Sequence, residues 1–185
     1  MAPTMSSPID PDVVIGHVHL KVSDLERAET FYRDVLGFEV TARYGSSAVF
    51  MSAGGYHHHL GLNTWHSKGA PPAGPRHPGL FHFAILYPSR AALARAVKRV
   101  LDQGVGIDGV ADHGVSEAVY LHDPDGNGVE LYRDRHPSEW PPGSDGGIGM
   151  VTDPLDVGEL LRQADAAEPP ARDPDDTYVP RGTPA

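Results

Sequence analysis

Residues 13–22 read VVIGHVHLKV, and residues 79–86 read GLFHFAIL. In the first stretch Val14, Val18, Leu20 and Val22 share one parity, while His17, His19 and Lys21 share the other. Strand side chains alternate between two faces, so this pattern predicts a half-buried strand with histidines on its second face. The second stretch predicts a more apolar strand that carries a single histidine, His82.

Each strand is followed by the same series of elements. After the first, Ser23 with Glu26 three residues on predicts a capping box and a helix to about residue 36. Leu25, Ala28, Phe31, Tyr32, Val35 and Leu36 would line its buried side, and Gly37 would end it. Residues 38–43, 47–52 and 56–63 then read as strands, parted by Gly45 and by Gly54-Gly55. Residues 65–79 are rich in Pro and Gly and read as a linker. After residues 80–87, a helix over 89–103 would place Leu93, Ala94, Val97, Val100 and Leu101 inward, and Gly104 would stop it. Residues 105–110, 117–122 and 128–134 read as strands, with a hairpin turn at DPDGNG, residues 123–128. The expected fold class is therefore α+β: two tandem βαβββ modules, about residues 13–65 and 79–135, forming an open barrel around a metal site. Residues 1–12 read as a flexible leader and 13–140 as the paired domain. Residues 141–185 read as an extended tail with a short helix near 153–164 and a disordered end.

Composition narrows the function. The chain has 185 residues, 39% of them hydrophobic, which is enough for one ordinary core. The formal net charge of −10 argues against nucleic acid or an anionic membrane surface as a partner. No apolar run is long enough to span a bilayer, and the first residues lack a signal-peptide pattern, so a cytoplasmic location is expected. There is no cysteine, so any metal must sit on imidazole and carboxylate.

The chemistry centres on a few residues. His82 in an apolar strand could be a core histidine with one hydrogen bond. Glu130, between Val129 and Leu131, is harder to explain structurally, because an unpaired carboxylate in a partly buried strand is costly. A metal or an arginine must compensate, and a metal would also account for the histidines. Two histidines and one carboxylate leave half an octahedral shell open, which suits non-haem Fe(II); Mn, Co, Ni and Zn accept the same ligand types.

HVHLKVSDLERAETFYRDVLGF, residues 17–38, resembles the opening module of the vicinal oxygen chelate superfamily, and DPDGNGVELYRD, residues 123–134, resembles its closing strand. The likeness extends over about residues 14–140. It implies that His17, His82 and Glu130 are the metal ligands, with His19, on the same face as His17, in reserve. Within the superfamily the chain is most similar to extradiol ring-cleaving dioxygenases of the catechol 2,3-dioxygenase type. Those carry a tyrosine ten residues before the glutamate ligand, here Tyr120, and a histidine-glycine pair upstream, here His113-Gly114. They also carry a histidine entering the fourth strand of a module. His58 fits best, while strand parity favours His59. The resemblance implies Fe(II), with Mn(II) accepted, a catechol and dioxygen as substrates, and His58 (or His59), His113 and Tyr120 as catalytic residues. A metal-dependent lyase or isomerase of the glyoxalase type is the alternative, followed by a non-enzymatic module of the bleomycin-resistance type. Larger relatives have four modules where this chain has two, so a homo-oligomer, a dimer or higher, is expected to cover the cleft.

Overall fold

The computed structural model describes residues 8–74, 76–144 and 146–166. Most of the predicted leader and the predicted disordered end lie outside the described residues. The first module contains β1 (Val18–Lys21), α1 (Leu25–Thr30), a π-helical turn (Phe31–Val35), β2 (Glu39–Tyr44), β3 (Ala48–Ser52) and β4 (Leu60–Asn63). The second contains β5 (His82–Leu86), α2 (Arg90–Asp102), β6 (Gly109–Asp112), β7 (Ser116–His122) and β8 (Gly128–Asp134). A 3-10 turn (Pro137–Glu139) and α3 (Val157–Arg162) follow. No described helix is long and apolar enough to cross a membrane.

The two sheets have the same topology. Their strand orders are β1-β4-β3-β2 and β5-β8-β7-β6, with the first pair parallel and the others antiparallel. They are not closed into a single barrel. Leu20, Val49, Met51, Leu60 and Leu62 of the first sheet and Phe83, Val119, Leu121, Val129 and Leu131 of the second belong to one core with the helices. Each such large side chain contributes about 1.5–3 kcal/mol relative to exposure. In α2, Leu93, Ala94, Val97 and Val100 are buried as the 3.6-residue period requires.

The start of α1 departs from the predicted capping box. The N-cap is Asp24, whose carboxylate accepts from Arg27 N–H at 3.0 Å. Ser23 is drawn away: its hydroxyl donates to Asp125 at 2.5 Å, and Arg27 reaches the same carboxylate at 2.6 Å. The helix also widens into a π turn over Phe31–Val35 instead of running on as α-helix. Tyr32, fully buried in that turn, donates its hydroxyl to Asp123 at 2.9 Å. Asp123 also accepts from the backbone N–H groups of Asp125 and Asn127 and from the Asn127 side chain. The first module's helix thus clamps the β7–β8 turn of the second, a joint that local pattern could not reveal.

Two predicted strands are also corrected. Residues 56–59 are not strand, because β4 begins only at Leu60, so His58 and His59 lie in the approach to it. The sixth strand is Gly109–Asp112 instead of 105–110. Its place is set by pairing with β7, with Val110 opposite Val119 and Asp112 opposite Glu117.

Candidate functional site

Residues paired across adjacent strands project from the same face of a sheet. In the second sheet Glu130 on β8 lies between Ala84 on β5 and Tyr120 on β7, and His82 pairs with Gly128. His82, Glu130 and Tyr120 therefore share the face turned away from α2. Gly128 permits this approach, since a Cβ there would lie 2.1 Å from the Phe81 carbonyl oxygen.

The side chains form a connected line. His82 Nε2 lies 3.0 Å from Glu130 Oε2. The Tyr120 hydroxyl is 3.2 Å from Glu130 Oε1 and 2.8 Å from His113 Nε2. His113 Nδ1 is 2.8 Å from the carbonyl oxygen of Val151, in the segment after the second module. Burial first, then the Glu130 charge and hydrogen bond, push the Tyr120 phenol up to about 12, so it remains protonated near neutrality.

The first sheet has a different surface. His19 pairs with Gly61, which pairs with Phe50, and these project away from α1. The His19 ring lies over Gly61, where a Cβ would come within 2.9 Å of it, with the Phe50 and Trp65 ring centroids 5.8 and 5.5 Å away. His17, just before β1, has its ring centroid 4.6 Å from that of His58. The His58 ring is also 5.0 Å from Phe50, and its Nδ1 is 2.7 Å from that of His57. Burial, then the neighbouring His17, lowers the His58 pKa. His59 is tied back to β3: its Nδ1 lies 2.9 Å from Ser52 Oγ and accepts from Ala53 N–H at 3.3 Å.

Of the sequence-predicted residues, His82, Glu130, Tyr120 and His113 are brought together in one line, and His17 and His58 in a second group. The two groups are not joined into one donor set. Among the described residues no group of three or more His, Asp or Glu side chains stands ready to hold a metal. The fit to a divalent cation thus rests on His82 and Glu130, whose Nε2 and Oε2 lie 3.0 Å apart. His17 remains beside His58. Pattern reading missed the Val151 carbonyl, because a backbone acceptor in an irregular segment has no sequence signature.

Known proteins agree with this architecture. The family model described as the glyoxalase/bleomycin resistance protein/dioxygenase superfamily matches residues 14–131. A catechol-2,3-dioxygenase of Bacillus subtilis is 47% identical over 98 residues, which are 52% of this chain and 34% of that protein. Biphenyl-2,3-diol 1,2-dioxygenase 3 of Rhodococcus globerulus is 32% identical over 121 residues, covering 65% of this chain and 63% of its own length. The chain thus spans about a third of the first relative and under two thirds of the second. The solved lactoylglutathione lyase of Agrobacterium tumefaciens is 27% identical with a TM-score of 0.53, covering 67% of this chain and 96% of that one.

Proposed function

We propose that this chain, which belongs to the glyoxalase/bleomycin resistance protein/dioxygenase superfamily, is an Fe(II)-dependent extradiol dioxygenase. Its substrate would be catechol or a substituted catechol, and its product a ring-opened semialdehyde that retains both oxygen atoms of O2. The observation that carries this proposal is the line His82–Glu130–Tyr120–His113. It joins a metal-type donor pair to a protonated phenol that is backed by an imidazole. The relatives named as catechol and biphenyl-diol dioxygenases support it.

His82 and Glu130, with His17 as third donor, would hold Fe(II) or Mn(II), which when bound supplies the electron transfer between catecholate and dioxygen. Tyr120 then offers its hydroxyl to a catechol oxygen, since its raised pKa keeps the proton in place. His113, on the far side of Tyr120, would orient the phenol. His58 is the acid-base residue. Its lowered pKa leaves it neutral near pH 7, able to take a proton from the catechol and return one to the opening ring. His59 is the weaker candidate, because Ser52 and Ala53 occupy its Nδ1.

The proposed enzyme works as a homo-oligomer in the cytoplasm. Ile15 and Phe81, each 89% exposed, stand next to the two histidine-bearing edge strands and would be covered by a second copy. A monomeric mass by light scattering together with full activity would refute that part. The activity itself is tested by loading the protein with Fe(II) anaerobically, then adding catechol and air. The expected result is a yellow product with oxygen uptake. Turnover of methylglyoxal-thiol adducts with Ni or Zn, and none of catechol, would instead assign a lyase of the type its Agrobacterium structural neighbour is named for.

A further inference from the structure

We propose that residues 149–166 form a strap whose job is to position His113 for the site. A carbonyl oxygen can only accept, so the 2.8 Å contact with Val151 requires His113 Nδ1 to carry its hydrogen. In the neutral ring this leaves Nε2 as an acceptor 2.8 Å from the Tyr120 hydroxyl, so that it competes with Glu130 Oε1, at 3.2 Å, for the one phenol hydrogen. The strap therefore selects both the tautomer and the angle at which the imidazole meets Tyr120, a role usually filled by a carbonyl or carboxylate behind a working histidine.

The strap is built to hold that carbonyl still. Val151 N–H donates back to the His113 carbonyl at 3.2 Å, and Asp112 and Asp153 exchange two backbone hydrogen bonds of 2.9 Å each. Beyond the bridge, Leu155, Leu160 and Ala164 are buried in the main core. Glu159 is bonded to Arg90 of α2 at 3.0 Å. On the other side Pro141 lies against Gly114, where a Cβ would be 2.8 Å from the proline ring. His113 itself sits in a short turn between β6 and β7, with Tyr120 as the side chain against its Nε2. Without the strap the ring would keep Tyr120, whose hydroxyl can either donate or accept and so does not fix the tautomer.

The effect on turnover rests on the extradiol proposal; the effect on the imidazole does not. The first measurement is a long-range 15N–1H spectrum of the full chain labelled at histidine, with His113 assigned by its loss in His113→Gln. The expected pattern is the Nδ1–H tautomer. An Nε2–H tautomer in the unaltered protein would overturn the proposal before any further variant is made. Asp153→Pro removes the donor to Asp112 at an exposed position. It should convert the His113 signal to a tautomer mixture and lower kcat for catechol by about tenfold, while in the His113→Gln background it should change kcat less than about twofold. Equal losses in both backgrounds, or an unchanged tautomer in Asp153→Pro, would mean that the strap acts only on folding. If catechol is not turned over at all, the extradiol proposal fails and the tautomer spectra alone decide the strap.

Discussion

The two modules share strand order and pairing, yet their open faces differ in kind. In the second module His82, Glu130, Tyr120 and His113 follow one another in a line of polar contacts that ends at the Val151 carbonyl. In the first, rings are packed on rings: His17 on His58, His58 on Phe50, and His19 between Phe50 and Trp65. A hydrogen-bonded line fixes protonation states and angles, whereas a stacked group fixes mainly the positions of the rings. In the proposed enzyme the second module would orient substrate, and the first would supply proton movement and the third metal donor. The strap of residues 149–166 docks on the second module through the Asp112–Asp153 bridge, so that line extends one bond further than the duplicated topology alone provides.

Removing the junction of the line should have the largest effect. Glu130→Gln keeps the shape and removes the charge, and should lower both kcat/KM and Fe(II) affinity by more than about a hundredfold, measured by oxygen uptake and titration calorimetry. A loss smaller than tenfold would place the metal elsewhere. His58→Ala should lower kcat by about a hundredfold and erase one limb of the pH–rate profile, while His59→Ala should stay within about threefold. The reverse ranking would move the acid-base role to the residue bound to Ser52. His17→Ala should weaken Fe(II) binding by about tenfold, whereas His19→Ala, wedged over Gly61, should instead lower Tm. Tyr120→Phe should cut kcat by about tenfold or more with little change in metal content.

Smaller effects probe how the modules are held. Tyr32→Phe leaves Asp123 without its buried donor from the first module and should cost about 1–3 kcal/mol, read by urea unfolding. Glu117 is a comparable anchor inside the second module. Burial by itself would raise its pKa, but hydrogen bonds from Arg133 and Arg90 at 2.9 Å outweigh that and hold the carboxyl below its usual range. A depressed carboxyl stabilises the fold above its unfolded pKa of about 4.3, and this contribution fades as pH falls through the lower folded value. Glu117→Gln should therefore destabilise at pH 7 and have little effect at the lowest pH the fold survives. In the first module, the Glu29 pKa is lowered by its hydrogen bond to Arg43 and follows the same sign. Arg43 is half exposed there, so Glu29→Gln should cost under about 1 kcal/mol.

Much of this molecule is readable from residue order alone. The period-two stretches around His17 and His82, the helical stripe of α2 and the DPDGNG turn are local signals, because each depends on a repeat of side chains against one neighbouring surface. Alternation within one strand also sets Glu130 apart from Val129 and Leu131, but that His82, Glu130 and Tyr120 share a face follows only from the pairing of their strands. What the tertiary structure decided is everything that depends on a distant partner. Ser23 left its predicted cap for Asp125, the helix opened at Tyr32 to reach Asp123, and His59 was claimed by Ser52. The orientation of His113 was decided in the same way, by a carbonyl at Val151. A hydrogen bond between groups far apart in the chain is available only after the backbone has brought them within about 3 Å, so no local pattern encodes it.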